Sequence, residues 1–315
     1  MTQKTQQQPK NTSISKTLEL SKSNIMIQKL TLFILLLFTT HLQLCTSFSK
    51  LNDAFTSNGN TLRKKHKLDG KIPILSRKVP LVIDSIPFVT IWELEKPSKL
   101  IEMWWAADLD SSSSVSKEKI GDPFGVVFWP GSILASQFLG EHKDEIFNST
   151  VLILGAGTGV EAQASALLGA KRVIATDISK LTMKLLKYGA EQAGLGDIIE
   201  AVQFDLYSKE KLPECDIVVA ADVLYNEELA RQIGLRCVEV LTRPNSPKVI
   251  ITDSQRFHGT DFLADINDLL YETGKELHWE YFLLKNITGS GVMIEGDQTY
   301  DAKIRMVSDG WNKIM

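Results

Sequence analysis

Cysteine is scarce in this chain. The three residues present, Cys45, Cys215 and Cys237 among 315, are too few and too scattered for a disulfide framework, and no metal-ligand spacing is visible. Cys215 opens an apolar strand and Cys237 lies in a helical pattern, so both read as small buried hydrophobes. A strong charge of one sign is also lacking, since the net charge is −3. That value hides a split: residues 1–71 carry 11 Lys and Arg against 3 acidic residues, and the remainder carries 24 against 35. A basic face on the folded body would be expected of an enzyme acting on DNA or RNA, and an acidic body argues against such substrates. No internal repeat is present. The apolar run 30–38, interrupted only by Thr31, is short for a membrane-spanning helix.

That run follows Lys29 and gives way to small and polar residues ending in Cys45, Thr46 and Ser47. These are the three parts of a secretory signal peptide. Met26 stands three residues before Lys29, and initiation there would give the signal ordinary proportions, leaving 1–25 as an extension. Residues 48–71 are rich in Ser, Asn, Thr, Lys and Arg and poor in acid, a composition that suits an organelle transit peptide. The junction Thr46-Ser47-Phe48 resembles the signal-plus-transit leaders of algae with secondary plastids. A plastid destination is therefore expected, with the secretory pathway or a signal-anchored membrane form as the alternative. No stable span is expected once the leader is cleaved. Sugar on Asn148 or Asn286 would contradict the plastid reading.

The expected organisation is a leader over 1–71, an N-terminal β-hairpin extension and loop over 72–120, and a main domain over 121–315. In the extension, a strand-like pattern from 72 to about 105, its apolar pairs broken at Asp84-Ser85, predicts a hairpin, with Trp92, Trp104 and Trp105 packing it against the main domain. In the main domain Pro130 suits a first helical turn, and Ile133, Leu134, Phe138 and Leu139 make one apolar stripe. Strands are expected at 151–154, 199–204, 216–221 and 249–252, alternating with helices at 180–193, 227–241 and 261–273. Final strands are expected at 277–284 and 302–307. Alternating strands and helices imply an α/β fold with a doubly wound, mostly parallel sheet. The last strands, with no helix between them, imply an antiparallel edge.

The most informative stretch is 151–177, which reads as strand, glycine turn, small-residue helix, second strand and terminal carboxylate. Gly155, Gly157 and Gly159 reverse the chain and bare backbone amides where a Cβ would obstruct a ligand. Asp177 closes the second strand, where a carboxylate can take both hydroxyls of a ribose. The unit reads as a nucleoside site. The nicotinamide dinucleotide fingerprint Gly-x-Gly-x-x-Gly is not met: Val160 stands where its third glycine belongs, and the last glycine comes one residue early. Gly-x-Gly-x-Gly instead resembles the first motif of class I S-adenosylmethionine methyltransferases. That family usually has an acid two residues before the first glycine, where this chain has Ile153.

Other groups fall at or beside C-terminal strand ends: Trp129, Asp205, and Asp222 with Tyr225. Taken together, FWPGSILASQFL, the glycine motif and ADVLYNEE resemble the family 16 methyltransferases of the seven-strand class, many of which methylate protein lysines. The resemblance runs over about 121–307. It implies a Rossmann-like seven-strand sheet and S-adenosylmethionine as cofactor. Gly155 and Gly157 would then hold the methionine part, with Gly159 also in the cofactor site, Asp177 would bind the ribose and Asp205 the adenine, with Leu206-Tyr207 where the family usually has Trp-Gly. Trp129 and Ala221 would pack beside the cofactor. Asp222 and Tyr225 match the family's Asp-x-x-Tyr substrate motif, Tyr225 lining the acceptor pocket and Asp222 accepting a hydrogen bond from the amine. A protein lysine is the expected acceptor. A small-molecule N- or O-methyltransferase is the alternative, with the hairpin as its lid. A cofactor-binding scaffold without catalysis is a further reading, favoured only by Ile153.

Overall fold

Runs of valine, isoleucine and leucine bounded by glycine and aspartate set the central layer of the molecule. The computed structural model describes residues 63–109, 122–254, 266, 268, 277–278, 283–289, 298–308 and 310–311, all within one unit spanning 51–315. The leader up to residue 62 and the helix expected at 261–273, apart from residues 266 and 268, lie outside them. The chain begins with β1 (Lys65–Leu68), β2 (Ile72–Ile83), β3 (Ile86–Leu94) and α1 (Pro97–Leu109). After a short 3-10 turn, Phe124–Val126, come α2 (Gly131–Glu141), α3 (Lys143–Ile146), β4 (Thr150–Leu154), α4 (Val160–Leu167), β5 (Arg172–Asp177) and α5 (Lys180–Gln192). The rest is β6 (Ile199–Gln203), β7 (Ile217–Ala221), α6 (Glu227–Leu241), β8 (Lys248–Asp253), β9 (Leu277–His278), β10 (Leu283–Gly289) and β11 (Gln298–Ser308).

The main sheet runs β10-β11-β8-β7-β4-β5-β6, with β9 paired to β11. Strands β4 to β8 pair with one another in parallel, and β11 is antiparallel to both β8 and β10. This is the doubly wound sheet with an antiparallel edge that the sequence implies. β4 and β7 are apolar and buried almost end to end, as strands covered on both faces must be. The order reverses at β4, which opens a crevice above the C-terminal ends of β4, β5 and β7. Two side-chain caps start the helices beside it. Ser179 accepts from Thr182 N at α5, and Asn226 accepts from Leu229 N at α6, each worth about 1 kcal/mol.

β1, β2 and β3 form a second, antiparallel sheet, turned at Asp84-Ser85 as expected. It lies against the helices, not over the crevice. Gln163 Nε2 of α4 donates to Thr90 O at 2.9 Å, and Trp92 meets Tyr188 of α5 edge-on at 5.0 Å. α2 is thus enclosed, which is why Gly131 to Leu139 are all buried instead of showing one apolar stripe. Leu68, Ile74 and Trp92 share a core with Val126, Trp129 and Leu185, so the boundary expected at 120/121 is not a break in packing.

Two further expectations are corrected. Lys65–Leu68, assigned to the leader, is a strand paired with β2; its lysines face solvent and only Leu68 is buried, so its composition looks like a tail. The strand-like reading beyond Leu94 gives way to α1, which Pro97 opens at a position where a missing N–H costs nothing. Trp104 and Trp105 fall on that helix, and their side chains lie outside the described residues. Cys215 and Cys237 are buried in the core around β7 and α6, where burial pushes both thiols up to about 12. Among the described residues no helix is long and apolar enough to cross a membrane, and no group of three His, Cys, Asp or Glu is placed to hold a metal ion.

Candidate active site

The turn after β4 needs glycine for two reasons at Gly155. Its φ is +68°, and a Cβ there would lie 2.5 Å from Val223 Cγ1, so the loop sits directly on the end of β7. Gly157 N donates to Asp177 Oδ2 at 3.2 Å, and Ser179 N donates to Asp177 Oδ1 at 2.8 Å. These bonds hold the last residue of β5 against the glycine loop. Burial pushes the Asp177 carboxyl up to about 7, the negative charge of Asp122 adds to the rise, and the two amides oppose it.

Above these groups is a cleft of about 910 Å³, counting the part open to solvent. Trp129, Gly155, Gly157, Asp177, Asp205, Ala221, Asp222 and Tyr225 all line it. Gly159 does not. It is the N-cap of α4, and a Cβ there would press on Leu186 Cγ at 2.9 Å, so its place is in the packing beneath the loop. The indole of Trp129 donates to Phe124 O at 2.9 Å. Asp205 Oδ1 accepts from Tyr207 N at 2.9 Å, closing a local turn at the rim.

Asp222 is the most heavily engaged of these groups. Its Oδ2 accepts from Gly131 N, and its Oδ1 accepts from both Ser254 N and Ser254 Oγ, each at 2.6 Å. The residue is buried with φ +56°, a conformation that Asp tolerates better than most side chains. Its carboxylate therefore ties the end of β7 to the start of α2 and to Ser254 beyond β8. Gly131 is required by that approach, since a Cβ there would stand 2.4 Å from Asp222 Oδ2. The Trp-Pro-Gly and Asp-x-x-Tyr motifs are thus two halves of one contact. Tyr225, half-buried, donates its hydroxyl to Asp122 Oδ2 at 2.5 Å and packs its ring 5.6 Å from Phe124.

Sequence reasoning missed three acids around this site. Asp122 lines the cleft and receives the Phe124 amide on Oδ1 at 2.8 Å. Glu93 of β3 accepts from Phe128 N at 2.8 Å and from Arg77 Nε at 2.7 Å, so a buried ion pair in the second sheet steadies the segment carrying Trp129. Glu161, in the first turn of α4, is 1% exposed and neither oxygen has a hydrogen-bond partner. Burial pushes its carboxyl up to about 7; its own backbone amide and the Ser132 hydroxyl, close by but outside hydrogen-bond geometry, oppose the rise, and the Asp222 charge adds to it. Asp122 stood in view, two residues before the aromatic run, but nothing local marks its partner.

The charge of the cleft decides what fits it. Four aspartates line it, and no Lys, Arg or His is among its described lining residues. A pyrophosphate would find no cation there, whereas a sulfonium and an ammonium would find carboxylates. Asp177 suits a ribose diol, and Ile178, Phe204, Leu206 and Val223 offer apolar walls to a base. These residues fit S-adenosylmethionine.

Comparison with known proteins agrees. Residues 109–268 match a family model described as lysine methyltransferase. The electron transfer flavoprotein beta subunit lysine methyltransferase of Homo sapiens is 31% identical over 130 residues, 41% of this chain and 46% of that protein. Its counterpart in Xenopus laevis is 30% identical over 138 residues, 43% of this chain and 54% of that protein. The ribosomal protein L11 methyltransferase of Citrifermentans bemidjiense is 35% identical over 138 residues, 42% of this chain and 41% of that protein. The chain thus spans about half the length of the relatives it matches.

Proposed function

Since the chain belongs to this lysine methyltransferase family, we propose that it transfers a methyl group from S-adenosylmethionine to a lysine side chain of a protein. The observation that carries the proposal is the acid-lined cleft at the switch point of the sheet, which has no cation among its described lining residues. Two positive groups must meet in such a reaction, the sulfonium donor and the amine that arrives as an ammonium.

When bound, S-adenosylmethionine supplies an electrophilic methyl group. The residues of the chain align and select. Asp177 accepts the ribose hydroxyls, the glycine loop lets the backbone approach, and Asp205 faces the adenine end. Tyr225 lines the acceptor side. Asp222, expected from the sequence to accept from the amine, holds three protein donors, so its first task is to fix β7 against α2. A free lysine amine is neutral in only roughly one molecule in 2,500 at pH 7, and the apolar walls and nearby sulfonium charge favour its neutral form. Placement of that amine in line with the methyl group supplies much of the acceleration.

The relatives named above are, by their names, enzymes that act on proteins, and that supports a protein acceptor. The lid required by a small-molecule reading is not supplied by β1–β3, none of whose described residues line the cleft. Ile153, where the family usually has an acid, is buried in the sheet core; it is the one residue that favours a scaffold without catalysis. A plastid destination is part of the same proposal, supported by the basic leader and by the need for a compartment that receives S-adenosylmethionine. Asn148 is exposed, so its remaining free of sugar in source cells is expected. Incubation with methyl-labelled S-adenosylmethionine and source-cell extract tests the acceptor. Label released from protein as methyl-lysine supports the proposal, and label confined to small molecules would replace it.

A further inference from the structure

Four carboxylates face the cleft, and they are not equivalent. Asp177 is held by the Gly157 and Ser179 amides beside the ribose position. Asp205 closes its own turn at the rim. Asp222 is taken up by Gly131 and Ser254. Asp122, just ahead of the 3-10 turn, lines the cleft and accepts two hydrogen bonds, one from Phe124 N and one from Tyr225 Oη. A carboxylate has about four acceptor sites, so roughly half of its capacity remains. Asp122 has no cationic partner among the described residues, although it lies close enough for its charge to act on Asp177. An acid held by a phenol and an amide, facing a cleft and lacking a cation, is arranged to receive one.

We infer that Asp122, presented by Tyr225, is the carboxylate that binds the acceptor nitrogen, a residue additional to the Asp-x-x-Tyr pair. This rests on the amine-methylating reading above. Chemically, the amine arrives as an ammonium, pairs with Asp122 and gives its extra proton to solvent. The nitrogen lone pair then forms the C–N bond while the C–S electron pair passes to sulfur. Positive charge moves from sulfur to nitrogen during transfer. Measured from the deprotonated amine that starts the transfer, a carboxylate beside that nitrogen is therefore worth more in the transition state, where positive charge develops there, which is the condition for speeding that step.

The test uses the purified protein saturated with S-adenosylhomocysteine and two probes matched in side-chain length, Nα-acetyl-lysine methylamide and its neutral analogue Nα-acetyl-2-aminoheptanoic acid methylamide, in which a methyl group replaces the ammonium. The wild type is expected to prefer the ammonium probe. Asp122→Asn is expected to weaken that probe at least tenfold, to leave the neutral probe and S-adenosylhomocysteine within twofold, and to lower kcat for a lysine acceptor. Asp122→Glu, which keeps the charge, should recover part of both. Unchanged ammonium affinity in Asp122→Asn, with wild-type preference intact, overturns the inference and leaves the lysine reading standing. Parallel loss of S-adenosylhomocysteine overturns it by moving Asp122 to the cofactor. A wild type indifferent to the probe's charge overturns both readings.

Discussion

Asp222 and Gly131, 91 positions apart, are joined by a 2.6 Å hydrogen bond from the Gly131 amide to the Asp222 carboxylate. That contact brings the N-terminus of α2 to the end of β7, and a helix N-terminus favours a negative charge. Replacing Asp222 with Asn puts an amide group where protein donors already point. Asp222→Asn is expected to destabilise the fold by about 2–4 kcal/mol, since buried donors lose their acceptor. Gly131→Ala should act in the same direction by about 1–3 kcal/mol, because its Cβ would displace the same oxygen. Urea melts of both variants check this, and unchanged midpoints would remove Asp222 from its structural role.

Tyr225 tests the acceptor side separately. Tyr225→Phe keeps the ring against Phe124 but removes the hydroxyl that holds Asp122. Turnover is expected to fall on the order of tenfold, the size of a lost hydrogen bond that orients a reacting group. Affinity for S-adenosylhomocysteine should not change. Single-turnover methyl transfer measured beside calorimetry separates the two effects.

Glu161 makes a prediction about stability and pH. Its folded carboxyl titrates near 7, above its unfolded range, so between about pH 4.5 and 7 the folded state holds the extra proton. Stability therefore falls as pH rises through that window. Glu161→Gln is expected to be roughly 3 kcal/mol more stable than the wild type at pH 8, with the advantage vanishing near pH 4.5. Thermal melts at the two pH values read the sign directly, and a destabilised variant at pH 8 would show that the charge has a use in the fold.

For Asp177 the same shift bears on binding. The ionised carboxylate accepts the ribose hydroxyls, and with the carboxyl raised to about 7 it is largely protonated at pH 6. Affinity for S-adenosylhomocysteine is expected to improve about tenfold from pH 6 to pH 8. Calorimetric titrations across that range should show the dependence in the wild type and its loss in Asp177→Asn.

How much of this could be read in the sequence follows from how local each cause is. The glycine turn and Asp177 were legible because strand, turn and carboxylate succeed one another within 27 residues. The bounds of α6 were legible for the same reason, with a cap at Asn226 and apolar periodicity after it. β1 was hidden because three of its four residues face solvent, and α1 because its apolar residues continued a strand-like run. Asp122 acquires meaning only through Tyr225, 103 positions later, and Glu161 only through burial that no spacing announces. Gly159 shows the converse: a residue inside a recognised motif that serves the packing beneath the site instead of its wall.

The most direct test of the cleft is a calorimetric titration of the purified protein with S-adenosylhomocysteine and, separately, with NAD at pH 8. One molecule of S-adenosylhomocysteine per chain is expected to bind, at least tenfold more weakly in Asp177→Asn, while NAD, whose pyrophosphate meets four aspartates and no described cation, is expected not to bind. Binding of NAD without S-adenosylhomocysteine would contradict the assignment.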